Sequence, residues 1–450
     1  MAVVGAGPSG FYAAEALLKH RPEAVVDLFD RLPAPFGLVR YGVAPDHQKI
    51  KSVTKVYDRL LADPRVRFRG HVEVGRDLLA DDLRRHYHAT VFAYGAALDR
   101  QLGVPGEDLA GSLSATHFVG WYNGHPDFVD LDPNLAGSTA LVVGVGNVAV
   151  DVTRILAKTP AELHDSDIAD HALAALAGSQ VRDIVVIGRR GPAEAKWSTK
   201  ELRDLGELAD ADVLVDPADL AISEASRAAI ADDVVARRNL EVLEDLAARP
   251  ARGAGRRIHL RFLLSPVAIE PAADGRSIGT VVLERNRLEA RPDGSLTAVG
   301  SGVTERLAAQ LVFRSVGYRG EPMPGLPFDE RWAVVPNDRG RVLSARGGER
   351  VPGWYVAGWI KRGPTGVIGT NKACAVETVA SLLEDTLPEI APEDAAPAAV
   401  DALLAERGVV FVDVEGWRHI DAAELAAGGA RGRPRVKLCT RQDLLAHARG

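Results

Sequence analysis

The chain has 450 residues, with 54 Lys and Arg against 61 Asp and Glu, so its formal net charge is −7. This length predicts more than one domain, and the acidic balance argues against a general nucleic-acid binder. A composition of 46% hydrophobic and 26% charged residues excludes a disordered or fibrous chain. Because it lacks a run of 18 apolar residues and a leader-like start, we expect a soluble, cytoplasmic protein without a membrane span.

Along the chain, short apolar runs alternate with helical patterns, and two strand–glycine turn–helix units stand out. The alternation predicts parallel sheets and an α/β class. The predicted strands are residues 2–4, 25–29, 66–68, 72–74, 91–93, 140–143, 184–187, 258–264, 311–316 and 354–357. The predicted helices are residues 11–20, 50–61, 148–156 and 373–383, with an extra helix in the insert 158–181 and mostly helical structure over 204–248. Residues 102–111 are predicted to be a linker and 391–399 a tether.

The first turn, Gly-Ala-Gly-Pro-Ser-Gly at residues 5–10, has the pattern of a dinucleotide-binding loop. In that pattern Gly5 permits the tight turn, Gly7 lets a pyrophosphate approach the backbone, and Gly10 lets the helix pack on the strand. Asp30 lies at the end of the second strand, where an acid accepts hydrogen bonds from ribose hydroxyls. The alternative is a structural glycine turn with a solvated Asp30.

The second turn, Gly144-Val145-Gly146-Asn147-Val148-Ala149, repeats this arrangement. Here the next strand ends in Arg189 and Arg190 rather than in an acid. Arginine forms charge-assisted, often bidentate hydrogen bonds with phosphate, so the pair predicts binding of a 2′-phosphate and a preference for NADP. Solvated loop charges are the alternative.

Two nucleotide loops with opposite ribose signals suggest two dinucleotides, and a flavin with a nicotinamide is the chemically sensible pair. A third glycine-rich segment, Gly-Trp-Ile-Lys-Arg-Gly-Pro-Thr-Gly-Val-Ile at residues 358–368, follows a strand and precedes a helix. Glycine-rich backbone at the start of a helix can lie close to a ring or a phosphate of a ligand, although a loop without a ligand fits the pattern equally. The only cysteines, Cys374 and Cys439, are too far apart in sequence to form a Cys-x-x-Cys pair.

These motifs make the chain resemble the adrenodoxin reductase family, the glutathione-reductase-like NADPH–ferredoxin reductases, and its bacterial members in particular. The resemblance also rests on Pro-Phe-Gly-Leu-Val-Arg-Tyr-Gly-Val-Ala-Pro-Asp-His at 35–47 and on residues 118–123, 146–152, 188–192 and 431–438. It implies two Rossmann-like domains, with an NADP domain (105–323) inserted into an FAD domain built from residues 1–104 and 324–450.

The resemblance also implies the site residues. The FAD contacts would be Ser9, Asp30, Leu38, Val74, Trp359, Gly366, Val367 and Ile368. The NADP contacts would be Val145, Gly146, Asn147, Val148, Arg189, Arg190, Glu201 and Gly366. His47 and Glu201 would lie near the nicotinamide and serve hydride-transfer geometry or proton handling. The alternatives are a structural histidine for His47 and, for Glu201, a residue of a solvated helix two positions before Arg203. No metal site is expected.

The chain departs from the family's pattern at two places. Residues 192–198 read Pro-Ala-Glu-Ala-Lys-Trp-Ser where many members have Pro-Leu-Gln-x-Ala-Phe-Thr, which affects the detailed shape of the phosphate pocket. Asp30 replaces the more usual Glu and is one methylene shorter.

The implied activity is that of a ferredoxin–NADP(+) reductase: hydride passes from NADPH to FAD, and single electrons then pass to a ferredoxin. We expect a monomer that docks an acidic iron–sulfur protein through local cations, with these candidates: Lys200, Arg203, Arg249, Arg252, Arg256, Arg257 and Arg261. A flavin-dependent NADPH monooxygenase and a non-catalytic nucleotide-binding electron-transfer subunit are alternatives. The cysteine positions argue against a thiol–disulfide reductase.

Overall fold

A computed structural model describes residues 1–292, 295–366 and 368–450. The chain divides into two compact units. The first contains Met1–Leu98, Asn123–Val129 and Tyr318–Gly450, and the second contains Asp99–Tyr122 and Asp130–Gly317. Within the described ranges, no helix is both long and apolar enough to cross a membrane.

The first unit is built on a seven-stranded sheet that joins both ends of the chain. Strand Arg350–Val356 pairs in parallel with Thr90–Phe92, which pairs in parallel with Ala2–Val4. The order across the sheet is Asn337–Asp338, Arg341–Leu343, Arg350–Val356, Thr90–Phe92, Ala2–Val4, Val26–Asp30 and Val66–Gly70. Neighbouring strands are antiparallel among the first three, and all the other neighbouring pairs are parallel.

Both faces of this sheet are covered, because alternate residues of each strand enter different hydrophobic clusters. Val3 and Leu28 belong to one cluster, whereas Val4 and Phe29 belong to the other. Strands that are buried on both faces are mainly apolar, which explains why Ala2–Val4 was visible as a continuous apolar run. Asp27 is a buried exception and is paired with Arg67 on the neighbouring strand. The helices of this unit are Pro8–His20, Leu38–Tyr41, Gln48–Lys51, Thr54–Leu61, Ala80–His86, Trp359–Arg362, Ile368–Glu384, Pro397–Glu406, Val414–Gly429 and Arg441–His447.

The second unit has a six-stranded parallel sheet and a separate three-stranded antiparallel sheet. The parallel order is Ser112–Ser114, Leu311–Arg314, Thr139–Val143, Asp183–Gly188, Arg256–Phe262 and Ala211–Val215. The antiparallel strands are Leu264–Pro271, Ile278–Ala290 and Leu296–Ala308. The helices are Ala115–Tyr122, Asn147–Ala157, Pro160–His164, Asp170–Ala177, Thr199–Leu205, Glu224–Ala229 and Val234–Ala248, with 3₁₀ turns at Pro192–Glu194 and Pro217–Leu220. Short strands Leu98–Asp99 and Tyr318–Arg319 lie near the points where the chain passes between the units.

The α/β class with Rossmann-like sheets is confirmed, whereas several local predictions need correction. Residues 72–74 form no strand; Val74 makes only an isolated bridge to Leu78. The insert 158–181 contains two helices instead of one, and the segment 204–248 includes the edge strand Ala211–Val215. The antiparallel sheet was not predicted. Its long strands are only partly buried, so they carry no continuous apolar run.

Candidate dinucleotide-binding sites

The first glycine loop connects strand Ala2–Val4 to helix Pro8–His20, and each of its glycines has a different environment. Gly5 has φ +110°, a conformation that other residues rarely adopt. A Cβ on Gly10 would lie 2.0 Å from the Gly5 carbonyl oxygen, so only glycine lets the helix start this close to the strand. A Cβ on Gly7 would meet only the Gly37 Cα, at 4.0 Å. The space beside Gly7, at the start of the helix, is therefore open to an anionic group.

Asp30 closes the second strand and ties the glycine loop to it. Its Oδ2 accepts a hydrogen bond from the Ala6 amide at 2.9 Å, and its Oδ1 accepts one from the Leu32 amide at 2.9 Å. Burial raises the pKa of the Asp30 carboxyl, while the two amide hydrogen bonds lower it in part. Each carboxylate oxygen can accept a further bond, so Asp30 is held in place and retains capacity for ribose hydroxyls.

A cavity of about 590 Å³ lies at the carboxyl ends of these strands. Gly5, Asp30 and Val74, three of the residues expected to bind FAD, line it together with Arg31 and Tyr94. Its volume is within the usual range for ligand sites, and the end of a parallel sheet is where such folds bind nucleotides. Arg31 was missed by the sequence analysis, although its position directly after Asp30 was a usable signal.

The 35–47 segment packs against the first glycine loop. The Phe36 amide donates to the Ala6 carbonyl at 2.7 Å, and Phe36 adopts φ +83°, which is unusual for a residue with a side chain. A Cβ on Gly37 would lie 3.0 Å from the Gly7 Cα. Leu38 therefore begins its short helix directly beside the open space at Gly7.

The third glycine segment also approaches the first helix closely. A Cβ on Gly358 would lie 2.1 Å from Ser9 Oγ, and the Gly358 amide donates to Cys374 Sγ at 3.3 Å. Cys374 is buried there, so its thiol has a structural contact. Ser9 and the 358–366 segment, which the sequence analysis assigned to FAD separately, thus lie at one place in the first unit.

Polar atoms in this segment are buried without a partner among the described residues. They are the indole Nε1 of Trp359 and the Nε and Nη1 of Arg362. Buried donors normally have acceptors, so these atoms fit a polar group bound from outside the chain. Gly366 has φ +80°, and Ile368 begins the following helix. Val367, expected to contact FAD, lies outside the described residues.

The second glycine loop repeats the geometry of the first. Gly144 has φ +137°, and a Cβ there would lie 2.2 Å from the Ser315 carbonyl oxygen. Gly146 has nothing within 4 Å of its Cβ position and precedes helix Asn147–Ala157, in which Val148 occupies the first turn. The Asn147 side-chain oxygen accepts from the Ser198 amide at 2.8 Å, and the Val145 carbonyl accepts from the Lys196 amide at 2.9 Å.

Arg189 and Arg190 directly follow strand Asp183–Gly188 and are fixed through their backbone. The Arg189 carbonyl accepts from Asn286 Nδ2 at 2.9 Å, and the Arg190 carbonyl accepts from the Leu263 amide at 3.1 Å. Within the described part of the chain, neither guanidinium has a carboxylate partner, and Arg189 is exposed. The loop is therefore ordered while both charges stay available for a phosphate.

Comparison with known proteins agrees with this geometry. The family model of NAD(P)-binding Rossmann-like domains matches residues 3–58. NADPH-ferredoxin reductase FprA of Mycobacterium leprae is 46% identical over 454 residues, covering 99% of this chain and 97% of that protein. The human mitochondrial NADPH:adrenodoxin oxidoreductase is 42% identical over 452 residues, covering 98% and 90%. The structure of Mycobacterium tuberculosis FprA in complex with NADPH superposes with a TM-score of 0.94 at 45% identity, covering 100% of this chain and 99% of that one.

The chain belongs to the adrenodoxin reductase family. This family membership confirms the resemblance drawn from the motifs, because the similarity extends over the full length and not only over the glycine loops.

The two residues that this family resemblance places near the nicotinamide have different environments. Glu201 is buried, and its Oε2 accepts from Arg154 Nη1 at 3.0 Å. Arg154 also donates to Asp151 at 2.7 Å. The alternative that Glu201 lies on a solvated helix beside Arg203 is therefore wrong. His47 is half-buried, donates its amide to the Ala44 carbonyl at 3.0 Å, and precedes helix Gln48–Lys51.

Most of the cations that were candidates for docking a ferredoxin are neutralised locally. Ion pairs join Lys200 to Asp204, Arg252 to Asp212, Arg257 to Asp183 and Arg261 to Glu305. Arg249 and Arg256 donate to backbone carbonyls. Among the described residues Arg203 has no acidic partner, and the same holds for the exposed Arg237 and Arg238, which sequence reasoning missed. Lys200 and Asp204 are four residues apart, but the other ion pairs join residues that are distant in sequence, so the local sequence could not identify them.

Proposed function

We propose that this chain is an NADPH–ferredoxin reductase that works with bound FAD. The observation that carries the proposal is the presence of two complete dinucleotide loops with opposite second-strand endings, Asp30 in one unit and Arg189 with Arg190 in the other. An acid suits the unmodified ribose of FAD, and a pair of arginines suits the 2′-phosphate of NADPH. When bound, FAD accepts a hydride, that is two electrons and one proton, and delivers the electrons singly.

The first unit is assigned to FAD. Gly5, Gly7 and Gly10 form the open turn for the pyrophosphate, and Asp30 with Val74 faces the adenosine end in the 590 Å³ cavity. The flavin end is assigned to the residues around the unpartnered donors: Ser9, Leu38, Trp359, Gly366 and Ile368. The functional boundaries remain 1–104 and 324–450 for this domain.

The second unit, with functional boundaries 105–323, is assigned to NADPH. Gly144 and Gly146 form the turn, and the amides at the start of helix Asn147–Ala157 face the pyrophosphate. Arg189 and Arg190 hold the 2′-phosphate. The nicotinamide end of NADPH is assigned to the buried ion pair of Glu201 with Arg154, in which the arginine holds the carboxylate in one position.

His47 and Glu201 are assigned to hydride-transfer geometry or to proton handling. Glu201 is oriented by Arg154, so it is suited to hold a hydrogen-bonded group in place. His47 has two ring nitrogens that can donate or accept hydrogen bonds, which suits either role.

The acceptor is assigned as an acidic iron–sulfur protein. Exposed arginines without local acids are the groups that can attract such a partner, and Arg203, Arg237 and Arg238 meet this condition on two helices that pack together. Each glycine loop is completed within its own unit, so a monomer suffices. Within the described residues Cys374 and Cys439 form no disulfide, which suits a reducing compartment such as the cytoplasm.

An anaerobic titration tests the function. The purified protein should show a flavin spectrum that NADPH bleaches at far lower concentration than NADH, and the reduced protein should then reduce a ferredoxin stoichiometrically with two one-electron transfers.

A second experiment tests the docking of the acceptor. Exchanging Arg237 and Arg238 for Gln should slow only the ferredoxin step, and more strongly at low salt. Arg257→Gln is the matched control, because Arg257 is already paired with Asp183. A protein that binds no FAD when FAD is added would refute the proposal.

A further inference from the structure

One short segment of the chain belongs to the first unit although its neighbours belong to the second. It is Asn123–Val129, and its Asp127 contacts two arginines from distant parts of the first unit. Asp127 Oδ2 accepts from Arg31 Nη1 at 2.6 Å, and Asp127 Oδ1 pairs with Arg441. Arg31 follows Asp30, and Arg441 begins the last helix. Asp127 thus connects the end of the second strand to the C-terminal helix.

Arg31 and Asp127 both line the cavity that is assigned to the adenosine end of FAD. The cavity is otherwise lined by the carboxylates of Asp30, Glu73 and Glu321. Among the described lining residues, Arg31 is the one Lys or Arg. The side chain of Arg31 remains 41% exposed and that of Asp127 25% exposed, which leaves both within reach of a ligand. The Arg31 guanidinium is therefore the cation at this site that can stack on an aromatic ring of a ligand.

We propose that Asp127 is a positioning residue for FAD. Held by Arg441, Asp127 fixes the Arg31 guanidinium at the cavity so that the guanidinium covers the adenine ring, next to the ribose that Asp30 binds. The inference rests on the proposed function. A planar guanidinium stacks well on an aromatic ring, and fixing it beforehand reduces the side-chain entropy lost on binding. The Asp127 contacts also help to hold residues 123–129 in the first unit, together with the Asn123 side chain, which accepts from Lys51 and Lys437.

The test is the affinity of the apoprotein for FAD, measured by quenching of FAD fluorescence. We expect Asp127→Asn and Arg441→Gln each to weaken FAD binding about threefold to tenfold, as for the loss of one or two partly exposed ion pairs combined with a stacking contact. Arg31→Ala should weaken it at least as much. In the double variant with Arg31→Ala, Asp127→Asn should add nothing, because Asp127 acts through Arg31.

Two further measurements separate positioning from a general structural role. The dissociation constant of ADP, which carries the adenosine and the diphosphate of FAD, should rise in these variants by the same factor as the dissociation constant of FAD. Asp63→Asn is the control, because Asp63 pairs with Arg65 on the surface of the same unit; it should leave both affinities unchanged. An unchanged FAD affinity in Arg31→Ala, or additive losses in the double variant, would overturn the inference. If Asp127→Asn does not fold, Arg441→Gln and Arg31→Ala decide the question, and failure of the wild-type chain to bind FAD would instead refute the proposed function.

Discussion

Removing the two arginines of the second unit should change which nicotinamide nucleotide the protein uses. Arg189 and Arg190 lack carboxylate partners among the described residues, so their replacement by Ala breaks no ion pair inside the protein. Charge-assisted hydrogen bonds contribute about 1.5–3 kcal/mol each, and the exposure of Arg189 argues for the lower end. Two contacts of about 1.5 kcal/mol amount to about 3 kcal/mol, or roughly a 10²-fold change in kcat/KM for NADPH.

The assay is anaerobic stopped-flow reduction of the flavin by NADPH and by NADH. The double Ala variant should lose roughly 10²-fold with NADPH and almost nothing with NADH, which lacks the 2′-phosphate. Arg257→Ala in the same sheet should behave as the wild type, since Asp183 already holds that guanidinium at 2.6 Å. Equal losses with both nucleotides would refute the reasoning, because they would show damage to the loop and not the loss of a phosphate contact.

Two further predictions concern the first unit. Gly358→Ala should abolish FAD binding and lower the melting temperature, because its Cβ would lie 2.1 Å from Ser9 Oγ; Gly347→Ala, also at positive φ but with open space, is the control and should cost only about 1 kcal/mol. Burial opposes ionisation of Glu424, yet its buried ion pair with Arg40 lowers the pKa of Glu424 overall, below the ordinary 4.5. This pair should therefore stabilise the fold above pH 4.5 and lose that contribution as the pH falls through the lowered pKa. Urea unfolding against pH should show this acid loss in the wild type and a shallower one in Glu424→Gln, and parallel curves would contradict the assignment.

The chain's local chemistry could be read from its sequence. Gly5, Gly7 and Gly10 were recognisable because a tight turn, an open backbone and a close helix–strand contact each require glycine within six consecutive residues. Asp30 and Arg189 were recognisable because each directly follows an apolar strand, and the end of a parallel strand faces the ligand.

Other features depended on residues that are far apart in sequence. The sequence left open whether Glu201 is a site residue or a solvated helix residue, and its burial against Arg154 from another helix excludes the solvated alternative. Arg257 looked like an available cation, yet its strand lies beside the strand of Asp183. The antiparallel sheet was missed because its strands are only partly buried and lack a continuous apolar run.

By itself, then, the sequence determined the two nucleotide loops and the charged residues at the end of the strand that follows each loop. The tertiary structure decided which charges are neutralised, which carboxylate is buried, and that strand Arg350–Val356 completes the same sheet as Ala2–Val4. The physical reason is range. A turn or a helix start is fixed by neighbouring residues, whereas burial and ion pairing are fixed by whichever distant segment packs alongside.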